Sequence, residues 1–568
     1  MAARLISPIS TSEFASMMCL VIPPTGWSNT LAVGNSGGPD SICLLFLLHR
    51  YLNGERTTNV RPRRLVSLSI DHNLQASSSS MAAQAASIAG SLDIDHVTAK
   101  LPWGEGHHPQ KPGPGDKIEE KARDMRQFVL FEHLKKLDAN ALAFGHHADD
   151  QVETMLMRLG RGSSGMGLAG MRPCRRWGMG SRTEGPNLYE IEGMRRWIVR
   201  PLLGVAKDRI LATCEDQKLN YVTDPTNFQP QLTIRNAIRH VLRNGGMSKL
   251  STECSLLSAL PSNIVDNLRG IDNTASQITH CTFGLDTSLQ DLRTIQSNVA
   301  SSRSRIDDTV DELLAKYRVP SPPGTFMVSP LTLCDIKSDE VREAFLFRVT
   351  RHVSPEPWGH PQAELGRRKA SIVRLSTHLC DIDSLSTKSN HSLCVGSGVW
   401  WRLATLSGTR LSFDTKKANP ENLKWIATRQ PPEQPHKDGL VNGTCNIFTR
   451  DLSNRIVRRI ELCLLQKDSP ILEFLYDHRF LIRLHLDRLP TQISQSLTSG
   501  NTKIIIRSNR PWYTPQVILQ EEDSATIIHS NIIRGPFVRQ LQLGARMPQM
   551  DIHSDWITIQ YFRPLSRI

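Results

Sequence analysis

None of the eleven cysteines in the 568 residues falls in a Cys-x-x-Cys spacing; they are scattered singly. That argues against a zinc ribbon, an iron–sulfur cradle or a disulfide framework, and it fits a reducing compartment. No apolar run approaches the roughly 20 residues that a membrane helix needs. The opening residues, MAARLISPISTSEFASMM, carry one Arg and a Glu, which makes a poor signal peptide and an unconvincing transit sequence. They read better as a first helix, with Ser10 or Thr11 as N-cap and Glu13 in its first turn. The pattern GxxxxGK[ST] is missing, so hydrolysis of a gamma-phosphate on a Walker loop is not the expected chemistry. The second half holds no Cys/His ligand set and no internal repeat.

What is present sets other bounds. A chain of 568 residues is long enough for two or three domains, each with its own core. Hydrophobic residues at 39% and charged residues at 22% describe a globular protein rather than a disordered one. A net charge of +13 and a pI near 9.3 suit a polyanionic partner and give a lean towards RNA.

The most informative stretch is Leu31 to Arg50, LAVGNSGGPDSICLLFLLHR, which reads as an apolar strand, a Gly-rich turn and a helix. Gly37 and Gly38 allow close backbone approach, and Pro39 suits the first turn of a helix. The turn's N–H groups, together with the helix dipole, favour an anion. Ser36 and Ser41 add hydroxyls on either side of the glycines. An ordinary strand-to-helix turn is the plain alternative; the flanking elements and hydroxyls favour a phosphate cradle.

Further strands are expected at Arg64 to Asp71, Ile94 to Leu101 and Ala141 to Phe144, with helices at 82–92 and Ile118 to Leu137. Asp71 and His72 end the second strand, where ligands of an open parallel sheet bind. Arg123 and Arg126 lie three apart on one helix face, which a solvated charged surface would also explain. After the fourth strand comes His146-His147-Ala148-Asp149-Asp150-Gln151-Val152-Glu153. A helix beginning near His147 puts His146, Asp150 and Glu153 roughly on one stripe. Carboxylates at a helix start can hold Mg²⁺ or a substrate ammonium. Plain capping is the duller reading, but it leaves too many donors and acceptors unexplained. Arg158 to Met171, with five glycines and Arg161, reads as a flexible, anion-friendly loop. Arg200 precedes Pro201-Leu202-Leu203 and a helix from Val205 to Gln217. Arg235 and Arg239 share a face of a later helix and suit phosphate contact, although plain structure accounts for them equally.

In this order SGGPDS, IDH, EEKARDMR, HHADDQVE, RGSSGMGLAGM, RPLL, DPTN and RNAIRH resemble the catalytic domain of the tRNA(Ile)-lysidine synthetases, within the PP-loop ATPases. The resemblance covers about the first 240 residues. Gln75 and Gln127 depart from the usual residues, and 173–199 is longer and Arg-rich. The resemblance implies an α/β fold with an amino-terminal Rossmann-like parallel sheet carrying helices on both faces; the carboxy-terminal half, which the resemblance does not cover, reads from its own helix and strand patterns as an α+β region. It implies adenylation of the wobble cytidine of a CAU-anticodon tRNA(Ile), followed by attack of L-lysine, with ATP and Mg²⁺ required. On this view Ser36, Gly37, Gly38, Pro39, Asp40, Ser41, Asp71 and His72 bind ATP, and Asp40 and Asp150 hold Mg²⁺. Asp40, Arg123, Arg126, His146, Asp150 and Glu153 carry the chemistry, with Asp150 and Glu153 also serving the lysine ammonium. Arg161, Arg200, Arg235 and Arg239 touch phosphates or RNA. A tRNA thiolase, a small-molecule amidating ligase and an inactive RNA-binding relative are the rivals. The absence of Cys-x-x-Cys and of a glutaminase-like segment weakens the first two, and Asp40, Asp150 and Glu153 together weaken the third.

The expected division is 1–243 for the catalytic domain and 244–568 for the rest, with candidate breaks near 320 and 425. In the second part 271–309 is rich in Ser, Thr and Asn, Arg305 to Lys316 and Asp339 to Val353 read as helices, and Gly396 to Phe413 reads as a hairpin. Trp400, Trp401 and Arg402 could stack on bases, although hairpin aromatics are more often core. The expected role of this part is tRNA grip and selection. Its length looks like a fungal or other eukaryotic version, which would place it in mitochondria, with the cytoplasm as the alternative.

Overall fold

The computed structural model describes residues 6–54, 61–73, 78–106, 108–113, 118–163, 165–180, 189–246, 260–278, 285–359, 369–381, 392–394, 396–415, 418–431, 449–465, 469–509, 512–522, 524–532 and 555–567. Gln75 and parts of the 173–199 stretch lie outside them. The chain divides into two compact units, Met1–Trp177 with Thr183–Leu188 and Gly193–Arg305, and Gly178–Arg182 with Tyr189–Glu192 and Ile306–Ile568.

The first unit is built on strands β1 (Thr30–Gly34), β2 (Arg64–Asp71), β3 (Asp95–Lys100), β4 (Ala139–Ala143), β5 (Cys174–Arg176) and β6 (Trp197–Val199). Their order is β3-β2-β1-β4-β6-β5. All neighbours are parallel except β5, which runs antiparallel to β6. Leu31, Ala32 and Val33 of β1 and Ala141, Leu142 and Ala143 of β4 are fully buried. A strand covered on both faces has no polar side to alternate with, so it reads as a continuous apolar run. The helices in chain order are α1 (Thr11–Cys19), α2 (Pro39–Asn53), α3 (Ser78–Ser91), α4 (Ile118–Lys136), α5 (Ala148–Leu159), α6 (Glu190–Arg195), α7 (Lys207–Asp216), α8 (Ile234–Arg243), α9 (Ser262–Ile278) and α10 (Leu289–Tyr317). Ser10 caps α1 by accepting from the Glu13 N–H at 3.2 Å.

Strand order reverses between β1 and β4, so the loops that follow these two strands open beside each other, where ligands of such sheets bind. Gly145 permits that approach. A Cβ there would lie 2.6 Å from the Asp40 carbonyl oxygen, and backbone cannot yield as a flexible side chain does.

The Ser/Thr/Asn-rich stretch from 271 is not irregular where it is described; it lies largely in α9 and α10. Leu285, Leu292 and Ile271 are buried with Val152, Met155, Leu156 and Leu159 of α5 and Ala237, Ile238 and Val241 of α8. Leu289, Ile295 and Val299 join that core from the same helix at helical spacing.

Among the described residues the second unit contains three antiparallel sheets. Strands β7 (Phe326–Val328), β8 (Ser392–Cys394), β9 (Val399–Ser407), β10 (Arg410–Ser412) and β11 (Leu423–Arg429) form the first. The expected hairpin is β9 and β10. Trp401 is fully buried in it, whereas the Arg402 guanidinium lies 4.6 Å from the Trp400 ring centre and 3.9 Å from that of Phe413. A four-stranded and a three-stranded sheet follow, and the helix Asp339–Val353 matches its expected bounds. Asp477 accepts hydrogen bonds from Arg429 and Arg479 at 2.7 Å each, which pairs its buried charge.

Candidate active site

The turn after β1 is organised by Asn35, a residue that sequence reading passed over. Its side-chain oxygen accepts from the Gly37 N–H at 2.8 Å and the Ser41 hydroxyl at 3.2 Å, while its amide donates to the Ser67 hydroxyl at 3.0 Å. Gly37 sits at φ +77°, and a Cβ there would press on Val222 Cγ2 at 3.3 Å. Glycine therefore serves both conformation and space at this position. Gly38 is the N-cap of α2 and Pro39 its first residue, as the sequence implied. The N–H groups of Asp40 and Ser41 open the helix and have no intrahelical acceptor.

A chain of alternating charge runs from this turn into the start of α5. Lys207, the first residue of α7, donates to the Asp40 carboxylate. His147 Nε2 lies 3.5 Å from Asp40 Oδ1 and 3.6 Å from Asp150 Oδ2. Asp150 in turn accepts from the His147 backbone N–H at 3.0 Å. Arg235 and Arg239 of α8 stand 3.4 and 3.3 Å from Asp150 Oδ1, and each places its Nε 2.5 Å from a different oxygen of Glu153. Both arginines are thus engaged by carboxylates, and Glu153 has neither oxygen spare.

The protonation states follow from this arrangement. Burial works against the Asp150 carboxylate, but His147, Arg235, His146 and Arg239 together hold it down at about 2. Burial also opposes the Asp40 carboxylate, yet His147 and Lys207 hold it below its usual range. Burial disfavours the His147 cation, and the hydrogen bond to Asp40 with the charge of Asp150 outweighs that and raises its pKa. His147 Nδ1 is buried and finds no protein partner.

His146 goes elsewhere. Because His147 is the N-cap of α5, with extended backbone, His146 precedes the helix and does not share its stripe. Its Nδ1 accepts from Arg200 Nε at 3.3 Å, and burial followed by the charge of Arg200 lowers its pKa to about 3. With Nδ1 accepting, the neutral ring carries its proton on Nε2. Arg200 is itself buried, drawn down to about 9 by burial and then by Arg175, with Arg123 adding to the same positive field. Asp71, buried at the end of β2, accepts from the Asn73 N–H at 2.9 Å and the Ser79 hydroxyl at 2.7 Å. Burial and then Arg126 lower the pKa of the neighbouring His72. Arg161 is exposed just past the C-cap of α5, about 20 Å from the start of that helix at about 1.5 Å per residue, so it does not join this group.

The residues absent from the sequence reading left different traces. Lys207 opens a helix, where the dipole disfavours a cation, and that misfit was a usable signal. His147 could not be told from His146 without the cap position, and nothing local marked Asn35.

Residues 15–245 match a family model described as a PP-loop domain. Over 217 residues the chain is 36% identical to a curated tRNA(Ile)-lysidine synthase of Bacillus subtilis, covering 37% of this chain and 39% of the relative. The corresponding protein of Bacillus licheniformis is 33% identical over 215 residues, 37% of this chain and 39% of its own. That of a Bradyrhizobium species is 34% identical over 226 residues, 40% of this chain and 54% of its own. The matched region thus spans about two fifths to half of these relatives' length.

Proposed function

We propose that this chain is an ATP-dependent ligase that joins lysine to C2 of the wobble cytidine in a CAU-anticodon tRNA(Ile), by way of an adenylated cytidine, releasing pyrophosphate and then AMP. The observation that carries the reading is the meeting of the β1 turn with the β4–α5 cap through Asp40, His147 and Asp150. Similarity to relatives named tRNA(Ile)-lysidine synthase supplies the choice of substrates.

The residues fit a nucleotide with a divalent cation. The N–H groups of Asp40 and Ser41 open α2 without an intrahelical acceptor, two carboxylates lie either side of His147, and His147 Nδ1 is buried without a protein partner. ATP with Mg²⁺ supplies the adenylyl group and the neutralisation of charge on the leaving pyrophosphate. Ser36, Gly37, Gly38 and Ser41 cradle phosphates, Pro39 fixes the first turn, and Asp40 and Asp150 hold the metal. Lys207 balances Asp40 and donates to the leaving group. Asp71 and His72 lie beside the nucleotide.

Arg123, Arg126 and Arg200 place positive charge where the cytidine oxygen bonds to phosphorus. Neutral His146 donates from Nε2 and orients the base. Glu153 aligns Arg235 and Arg239 towards Asp150, in place of the direct hold on the ammonium expected from sequence. Asp150 then receives the lysine ammonium, whose proton passes to solvent before the amine attacks C2 and AMP leaves with the former cytidine oxygen. Arg161 and the second unit grip the tRNA backbone.

Incubation with ATP, Mg²⁺, labelled lysine and CAU-anticodon tRNA(Ile) tests this reading. Label incorporated only when ATP and that tRNA are both present is the expected result; its absence overturns the proposal.

A further inference from the structure

The helix α10 lies beyond the matched segment 15–245, yet it touches the two elements that deliver the charged chain. Arg293 grips Asp149 with both arms of its guanidinium, Nε to Oδ1 at 2.8 Å and Nη2 to Oδ2 at 2.9 Å. Its third nitrogen, Nη1, donates to Gln290 Oε1 at 3.4 Å within α10 and also lies 3.9 Å from Asp208 Oδ2. Asp149 is the neighbour of Asp150, and Asp208 is the neighbour of Lys207. One guanidinium therefore spans the first turns of α5 and α7, the helices whose starts converge on Asp40.

The same stripe of α10 continues three and ten residues further on. Gln296 is buried and donates to the Ala169 carbonyl at 3.1 Å, and Arg303 donates to the Gly170 carbonyl at 3.2 Å. From the other side Arg158 donates to the Gly167 and Gly170 carbonyls at 2.8 Å each, and Gln151 exchanges two hydrogen bonds with the Met171 backbone. Gly170 is at φ +68°, and a Cβ there would fall 2.5 Å from Gln151 Oε1 and 3.2 Å from Gln296 Nε2. Residues 165–169, expected to be part of a flexible, anion-friendly loop, form a 3-10 turn clamped between α5 and α10.

We propose that Arg293 is a positioning residue for the ligation. It braces the starts of α5 and α7 so that His147, Asp150 and Lys207 converge on Asp40, while Gln296 and Arg303 hold the 165–169 turn against α5. The inference rests on the function proposed above. A partly exposed ion pair adds little to folding stability, whereas a bidentate fork is geometrically exacting, so removal of Arg293 acts on alignment more than on folding.

The test uses the full chain with Arg293→Ala, Arg293→Lys and, as control on the exposed face of α10, Ser301→Ala. Amide exchange of the ligand-free proteins is compared first. In Arg293→Ala, exchange at 148–152 and 207–211 should rise about tenfold with β4 unchanged. In tRNA-dependent pyrophosphate release, kcat should fall about tenfold or more while KM for ATP stays within about threefold. Added guanidinium should restore part of the loss in Arg293→Ala, and Arg293→Lys, lacking the fork, should remain impaired. Exchange and kcat of Arg293→Ala equal to those of Ser301→Ala overturn the proposal, as does a loss that follows only the melting temperature and resists guanidinium. A wild-type chain silent in the release assay counts against the proposed function, and the exchange comparison still decides whether Arg293 holds the two helix starts.

Discussion

Lys207 donates to the carboxylate of Asp40 across 167 residues of sequence, from the start of one helix to the start of another. Each helix dipole disfavours a cation at that end, so the ammonium is kept there by the carboxylate it meets. Lys207→Met should lower kcat for tRNA-dependent pyrophosphate release by about 10- to 100-fold, with the melting temperature little changed. Steady-state kinetics at saturating tRNA make the comparison; a variant as fast as wild type removes Lys207 from the account.

Glu153 is the anchor of two arginines. Glu153→Ala leaves Arg235 and Arg239 without their main partner, and these side chains are 28% and 25% exposed. The expected cost is about 2–3 kcal/mol, short of the about 3–5 kcal/mol for a fully buried pair because water reaches the arginines. Denaturant unfolding of Glu153→Ala, Arg239→Met and the double variant should give a coupling energy of about 1–3 kcal/mol. Strict additivity would mean that Glu153 does not hold Arg239.

Gly145 and Gly90 make a matched pair of substitutions. A Cβ at Gly145 would run into the Asp40 backbone, whereas one at Gly90 in α3 meets nothing within 4 Å. Gly145→Ala should weaken ATP binding by about tenfold or more through displacement of the β1 turn, measured by calorimetry. Gly90→Ala should instead stabilise the fold by about 0.5–1 kcal/mol, since helical alanine loses less backbone freedom. Equal effects of the two substitutions would contradict the close approach at Gly145.

His146 sets an acid limit. Its ordinary pKa of 6.5 falls to about 3 in the folded chain, through burial and then Arg200. Between these values the unfolded ring binds a proton that the native ring does not, so its contribution to stability is present above 6.5 and is lost as pH falls towards 3. Asp150, at about 2 against 3.8, adds a further loss in the same direction at lower pH. Unfolding midpoints across pH should therefore decline more steeply for wild type than for His146→Gln, and the His146 ring should stay neutral by NMR down to pH 5. A charged ring at pH 6 contradicts the burial argument.

The strand–turn–helix at Thr30–Asn53 was legible because its signals are local: a buried strand, two glycines, a proline at the first helical position. The same holds for α4 and the helix Asp339–Val353. The contacts that complete the site were not legible, since Lys207, Arg235, Arg239 and Arg293 reach it from far along the chain and nothing in their neighbours fixes that. His146 and His147 were separable only by cap position, which shifts a side chain's direction within one residue. In α10 serines diluted the apolar spacing, so Leu292, Ile295 and Val299 were overlooked although they share the core with α5.

Ligation would leave its mark on one nucleoside, the wobble cytidine. The tRNA(Ile) recovered after reaction with ATP, Mg²⁺ and lysine should be digested and its wobble nucleoside weighed by mass spectrometry, with Asp40→Ala alongside. Cytidine that has gained lysine with loss of water is expected from the wild-type chain, and unchanged cytidine from Asp40→Ala. Unmodified cytidine from the wild-type chain, or the same modified nucleoside from both proteins, would contradict the proposed ligation.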